Sequence, residues 1–218
     1  PGAIYLTEDT AALVADYFEL RELGELAVRN ANRRVRTFEL VAAREDRTRL
    51  DAEQIRDAAL AVAGRMDRRM GGPSDRQFDL KPGIHVTPLV DYTRFDPDSA
   101  AGNRRSAYRF LFRTLPDPFM DALDCPAGDQ LTAVRNSSVT VQQALALWND
   151  RFVIRGADDF ARRLRGESPD PTDQVERAYR LAFGRPASPA ERDRAVAFVN
   201  RRGLPEFCRV LFNTGEFL

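Results

Sequence analysis

His85 is the only histidine in 218 residues, so imidazole chemistry here rests on a single ring acting as a lone acid or base. Asp91 follows it closely, and Cys125 offers a thiol that an imidazole would activate for nucleophilic attack. Asp91, Asp96 and Asp98 could hold a hard cation through oxygen. Their stretch lacks the glycine and closing glutamate of a calcium loop, and turn formation accounts for them more simply. Arg104, Arg105, Arg109 and Arg113 crowd one segment, with 105, 109 and 113 at i, i+4 spacing. They read as an anion site or, more economically, as partners for Asp117, Asp121 and Asp124 just downstream. Asn136-Ser137-Ser138 satisfies the glycosylation sequon, a pattern short enough to arise by chance. Cys125 and Cys208 are too few and too far apart for a disulfide framework or a four-ligand zinc site. There is no glycine-rich phosphate loop, no Gly-x-Ser-x-Gly elbow and no Cys-x-x-Cys-His haem attachment. No catalytic residue, metal site or cofactor is therefore expected.

Composition narrows the field in the same direction. Basic and acidic residues cancel at 33 each, which argues against a nucleic-acid binder. No run approaches the roughly 18 apolar residues of a membrane span, and none resembles a secretory leader. Lys81 is the only lysine, so 32 of the 33 basic residues are arginine. Interleaving with Asp and Glu reads as a solvated, genome-biased surface. The chain opens on Pro1 rather than Met, as a trimmed, processed or partial chain does.

The elements that must position these residues fall into two kinds. Ala3–Leu6 predicts a strand, Thr7 with Glu8 and Asp9 caps a helix carrying Leu13, Val14 and Tyr17, and the period then changes to two. Phe18–Val28 and Val35–Val41 read as strands about an Asn30-Ala31-Asn32 turn, which makes residues 1–41 a strand-helix-strand-strand α+β fragment. Residues 42–50 are charged and without periodicity, a junction. From 51 onward the expectation is mainly α: a C-terminal antiparallel helical bundle with long irregular connectors. Asp51 to Gln54 shapes a capping box before Ile55, Ala59 and Val62. Residues 73–102 hold no convincing helix, although Ile84-His85-Val86 suits a short strand. Arg104–Arg113 reads as a helix with a Tyr108, Leu111, Phe112 stripe. A long helix from Thr140 carries Val141, Leu145, Trp148, Phe152 and Val153, with a bend at Gly156, and its stripe suggests that Trp148 packs in the core. Three closing helices start at Pro171, Pro189 and Leu204, with Cys208 inside the last apolar stripe.

Residues 51–218 resemble the C-terminal part of a planctomycete-specific domain of unknown function. The stretches that carry the likeness are RLDAEQIRDAALAV (49–62), GGPS (71–74), GIHVTPLVDYTRFD (83–96), NRRSAYRFLFRTLPDPFMDALDCP (103–126) and QLTAVRNSSVTVQQALALWNDRFV (130–153). LAFGRPASPAER (181–192) and LFNTGEF (211–217) agree as well. The family's usual neighbours include segments related to c-type cytochromes. The resemblance thus implies a binding or scaffolding part of an envelope-associated protein, redox-linked or directed at polysaccharides. A protein or polysaccharide partner would be met through neighbouring domains of a longer parent. Within the family-like stretches Arg104, Arg105, Asp117, Arg135 and Asn136 form a candidate polar cluster that holds the irregular connectors against the helices.

Residues 1–41 resemble the closing strand, helix and strand pair of a class III nucleotide cyclase domain. That family's metal-binding aspartates and its transition-state Asn and Arg lie upstream of this portion, and none is present. Its phosphate-contacting lysine falls where this chain has Arg29, followed by Asn30 in place of glycine. The alternative function is therefore an incomplete cyclase-derived signalling fragment, lacking its own metal ligands and acting only beside an intact partner. The two resemblances point to opposite compartments, cell envelope and cytoplasm. They meet at residues 42–50, as in a fused or recombined gene.

Overall fold

The computed structural model describes residues 4–8, 11, 18–27, 34–43, 49–83, 88–131, 134–136, 138 and 140–218. The chain divides into two compact units, Pro1–Arg49 and Leu50–Leu218.

The first unit is a three-stranded antiparallel sheet. β1 (Ile4–Thr7), β2 (Phe18–Ala27) and β3 (Arg34–Ala43) lie in the order β1-β3-β2. β2 is one strand with two irregularities, at Glu19/Leu20 and Glu22/Gly24. Gly24 takes φ 82°, a conformation other residues adopt only with strain, at the second of them. Register places Arg21 opposite Glu39, and the two side chains pair across the strands. Arg36 reaches both Glu22 and Glu8. Of the helix expected after Thr7, Glu8 and Ala11 are described and helical; the remainder lies outside the described residues.

The second unit is mainly helical: α1 (Ala52–Val62), α2 (Pro118–Ala122), α3 (Val141–Asn149), α4 (Arg151–Glu167), α5 (Pro171–Phe183), α6 (Pro189–Arg202) and α7 (Leu204–Phe212). α4 lies at its centre. Its Val153, Ala157, Phe160, Ala161 and Leu164 are buried in one core with Ile55 and Ala59 of α1, Val175 and Ala178 of α5, and Phe207, Leu211 and Phe212 of α7. The termini of the last three helices follow their local signals. Asp170 accepts from Thr172 N–H ahead of Pro171, and Gly184 stops α5 at φ 70°. Ser188 and Glu191 form the expected reciprocal capping box of α6. Leu50 N–H donates to the carbonyl of Leu218, tying the two ends of the unit together.

Glu191 supplies a prediction. The Arg185 guanidinium and the Ser188 N–H hold its carboxyl down at about 2. A depressed folded pKa contributes stability that is present above the unfolded value, near 4.5, and lost as pH falls toward 2. Glu191→Gln keeps a cap acceptor but loses the ion pair, a cost of about 0.2–1 kcal/mol at neutral pH. Thermal melts of both proteins from pH 7 downward should show the gap closing between about pH 4.5 and pH 2. A gap that persists at pH 2 would mean the ion pair is not its source.

Three expectations need correction. Residues 104–113 are not an α-helix; among them only Ser106–Tyr108 makes a 3-10 turn. Their backbone bonds go far afield: Asp75 N–H to Tyr108 O, 2.8 Å, and Phe110 N–H to Asp75 O, 2.9 Å, while the adjoining Asn103 O accepts from Asp67 N–H at 2.8 Å. Phe110 and Phe112, two residues apart, both set their rings edge-on to Phe78. The predicted long helix breaks at Asp150, not at Gly156. Asp150 is extended (ψ 139°) and its carboxylate caps Phe152 N–H, so α3 ends and α4 starts afresh. The stripe on α3 also faces outward. Val141, Leu145 and Trp148 are 75%, 55% and 39% exposed, while Gln143 and Leu147 are buried. Trp148 instead lies beneath the Arg209 guanidinium, 4.3 Å from its ring centre. Between α1 and α2 the chain makes a short antiparallel pair, β4 (Asp79–Lys81) with β5 (Leu89–Asp91), and 3-10 turns at Tyr92–Arg94 and Ala100–Gly102. The strand suggested at 84–86 lies outside the described residues.

Candidate functional site

The irregular strap of residues 65–117 is fastened to the helices by arginine. Arg56 stands on the buried face of α1 beside Ile55 and one turn from Leu60, and only 3% of it is exposed. Its guanidinium donates to Gly102 O (2.6 Å), Arg104 O (3.0 Å) and Ser106 Oγ (3.2 Å). Next to it Asp57 accepts from both the N–H and the Oγ of Ser106, each at 2.7 Å. Arg104 donates to Pro73 O and Gly71 O and lies 3.9 Å over the Tyr108 ring. Arg109 donates to Gln77 Oε1 at 2.9 Å and pairs with Asp117. Arg65 bonds Asp159 of α4 at 2.9 Å, and Arg163 caps the end of α1 at Val62 O, 2.8 Å. A planar fork of five donors reaches several buried carbonyls spread around it, whereas an ammonium offers three donors from a single point.

Where this strap meets α1, α2 and the α3–α4 break, a cavity of about 230 Å³ opens. Apolar rings, Tyr92, Phe95, Phe119 and Phe152, supply much of its wall, and its polar groups include Arg56, Arg65, Gln77, Asp117, Asp150 and Arg151. Asp117 and Asp150 each cap a helix, accepting from Phe119 and Phe152 N–H at 2.9 and 2.7 Å. Burial, with Arg109 nearby adding repulsion, pushes the Arg56 guanidinium down to about 10, so it stays charged at neutral pH. Burial, reinforced by the charge of Asp117, raises the Asp150 carboxyl above the ordinary range. The site is a largely apolar hollow with one deeply buried cation in its wall.

The polar residues singled out from the sequence do not converge. Arg104 and Asp117 lie at separate fastenings of the strap. Arg105 is more than half exposed and 3.8 Å from Asp57. Arg135 makes a two-pronged pair with Glu53 (2.8 and 3.0 Å), and its hydrogen bond draws the Glu53 carboxyl down. Arg105 and Arg135 share an open groove along α1, whereas Asn136 is simply exposed. Arg105→Ala therefore should move the melting temperature little, within about 0.5 kcal/mol. A larger fall would restore Arg105 to the fastening role that Arg56, Arg104 and Arg109 occupy. Arg29, His85 and Ser137 lie outside the described residues. Asp91 accepts from Thr93 N–H and Oγ1, Asp96 from Asp98 N–H, and Asp98 pairs with Arg155; these are turn and surface contacts. Among the described residues no three His, Cys, Asp or Glu side chains gather as a metal site would require. Burial raises both cysteines, Cys125 to about 11 and Cys208 further, so both remain thiols. No helix among the described residues is long and apolar enough to cross a membrane.

Sequence reasoning missed Arg56, Gln77, Asp150 and Arg151. One signal was present: position 56 falls within the apolar stripe of α1, between Ala52 and Ala59, where a charged residue needs partners.

A family model described as PSD1, protein of unknown function (DUF1553), matches residues 26–199. The match begins inside β2 and ends inside α6. No curated protein and no solved structure matches the chain.

Proposed function

The chain belongs to the PSD1 family of proteins of unknown function (DUF1553), and from that premise we propose that its helical unit is a non-catalytic binding module whose ligand occupies the cavity beside Arg56. The observation that carries this reading is the state of the two carboxylates that face the hollow. Asp117 caps α2 through one oxygen and pairs with Arg109 through the other, and Asp150 caps α4, so both carboxylates serve to hold helix starts in place. The wall is suited to holding a molecule rather than transforming it. The resemblance to a planctomycete-specific domain supports a place in a longer, envelope-associated protein concerned with redox chemistry or polysaccharide. In that setting the module meets its partners through neighbouring domains.

The test is ligand-observed NMR of the whole chain against short organic acids, amino acids and simple sugars. The expected result is saturable binding of one class, with no product formed over hours. Absence of any binder that Arg151→Glu weakens, or turnover of a bound compound, would overturn the reading. The antiparallel sheet of residues 4–43 supports the second reading, a fragment derived from a class III cyclase. Tight, magnesium-dependent binding of ATP would favour it over the first.

A further inference from the structure

We propose that the cavity between the strap, α1 and the α3–α4 break takes a small organic monocarboxylate, held head-on by Arg56 with its apolar body against Phe119 and Phe152. This deepens the binding-module reading and rests on it.

The argument is one of charge and of donors left over. Five charged side chains line the hollow: Arg56, Arg65, Arg151, Asp117 and Asp150. Three of the five are positive and two negative, and behind them Arg109 pairs with Asp117 while Asp159 is shared between Arg65 and Arg162, so the lining carries an excess of one positive charge. Asp57 does not absorb it. It stands 3.5 Å from Arg56, and it is shared with two donors of Ser106 and with Arg105 at 3.8 Å. Arg56 spends its Nη1 hydrogens on Arg104 O and Ser106 Oγ and one Nη2 hydrogen on Gly102 O. No protein acceptor takes its Nε–H or its second Nη2–H, so donors remain on the guanidinium for a carboxylate.

The remaining features set the ligand's size and character. At about 230 Å³ the hollow is far larger than a single water's share of about 30 Å³. It falls below the roughly 300 Å³ where drug-sized pockets begin. Phe119 and Phe152 approach each other at 5.5 Å between ring centres, and the Arg56 guanidinium stands 5.4 Å over Phe152. A flat or branched apolar body would lie against these rings with its head at the guanidinium. A phosphate dianion brings one charge too many against Asp150, and a neutral sugar leaves the excess charge uncompensated in a low-dielectric wall.

Benzoate is a suitable probe, titrated into the whole chain by calorimetry or ligand-observed NMR. Benzamide, inorganic phosphate and glucose serve as comparisons. Benzoate should saturate and raise the melting temperature, while benzamide, its neutral counterpart, should bind at least tenfold more weakly. Arg151 is exposed at the rim, bonded to Thr93 O at 2.6 Å. Arg151→Glu should therefore leave the melting temperature of the free protein nearly unchanged while weakening benzoate at least tenfold. Equal binding of benzamide and benzoate, or indifference to Arg151→Glu, overturns the proposal. If phosphate or glucose binds in an Arg151-sensitive manner and benzoate does not, the carboxylate assignment falls and the binding module stands. If nothing in the wider set binds, both fall.

Discussion

Replacing Arg56 by Met should destabilise the helical unit by about 3 kcal/mol. The estimate follows from the bonds that would be lost: Gly102 O and Arg104 O would be stranded in a nearly dry environment, while Ser106 Oγ loses one accepted hydrogen but still donates to Asp57. Each buried group left without a partner costs about 1–3 kcal/mol. Against that sum stands one relief, since the variant no longer carries a desolvated guanidinium. Burial holds that guanidinium down to about 10, and Met fills the aliphatic part of the space. The acceptors win because the strap cannot turn the two carbonyls toward water without leaving α1. Arg56→Lys should recover only part of the loss, since one ammonium cannot reach three acceptors set out for a fork. Urea unfolding followed by helical circular dichroism should show the Met variant's midpoint lower by roughly 1–3 M, taking a slope of about 1–3 kcal/mol/M. A midpoint equal to wild type would show that the strap is held by something other than this guanidinium.

The same residue shows what could and could not be read from sequence. α5, α6 and α7 were legible almost to the residue because their signals are local: Asp170-Pro171, Ser188 with Glu191, Gly184 and Gly203, and one apolar stripe in α7. The mainly α character with a small α+β part was legible for the same reason. Arg56 sits inside such a stripe, and an arginine there announces buried acceptors. What those acceptors are was not legible, because they come from residues 102–106, nearly fifty positions along the chain. The segment 104–113 failed for a related cause. Tyr108, Leu111 and Phe112 match a helical period, but Phe110 and Phe112 match an extended one equally well. The decision is made by pairing with residues 67 and 75 and by the ring of Phe78. On α3 the period was right and the inference from it wrong: an apolar stripe at helical spacing need not face the core of its own chain. The cavity is the extreme instance, since its wall runs from Arg56 to Phe152 and no window of sequence contains it.

The second large effect belongs to Phe160. It is completely buried on α4, and its ring lies nearly parallel to that of Phe212 on α7, with centres 5.9 Å apart. Phe212 in turn contacts Phe217 at 5.0 Å. The two helices pack closely at Gly156, one turn earlier on α4, where an added Cβ would stand 3.6 Å from the Phe212 ring, an ordinary contact. Phe160→Ala would open a void between elements already held at that distance. The surrounding residues, Leu164, Val175 and Cys208, are themselves fully buried and have little freedom to collapse into it. Phenylalanine truncation in such a core costs about 3–5 kcal/mol, and restricted collapse favours the upper part of that range. Because Phe160 lies among helices of the second unit, the loss should register in Trp148 fluorescence and in the helical signal together, with the slope against urea unchanged. Gly156→Ala should be nearly neutral by comparison, since 3.6 Å is ordinary contact for a methyl group and alanine favours the helix. A Phe160→Ala protein that unfolded at the wild-type midpoint would place the centre of the core elsewhere than on α4.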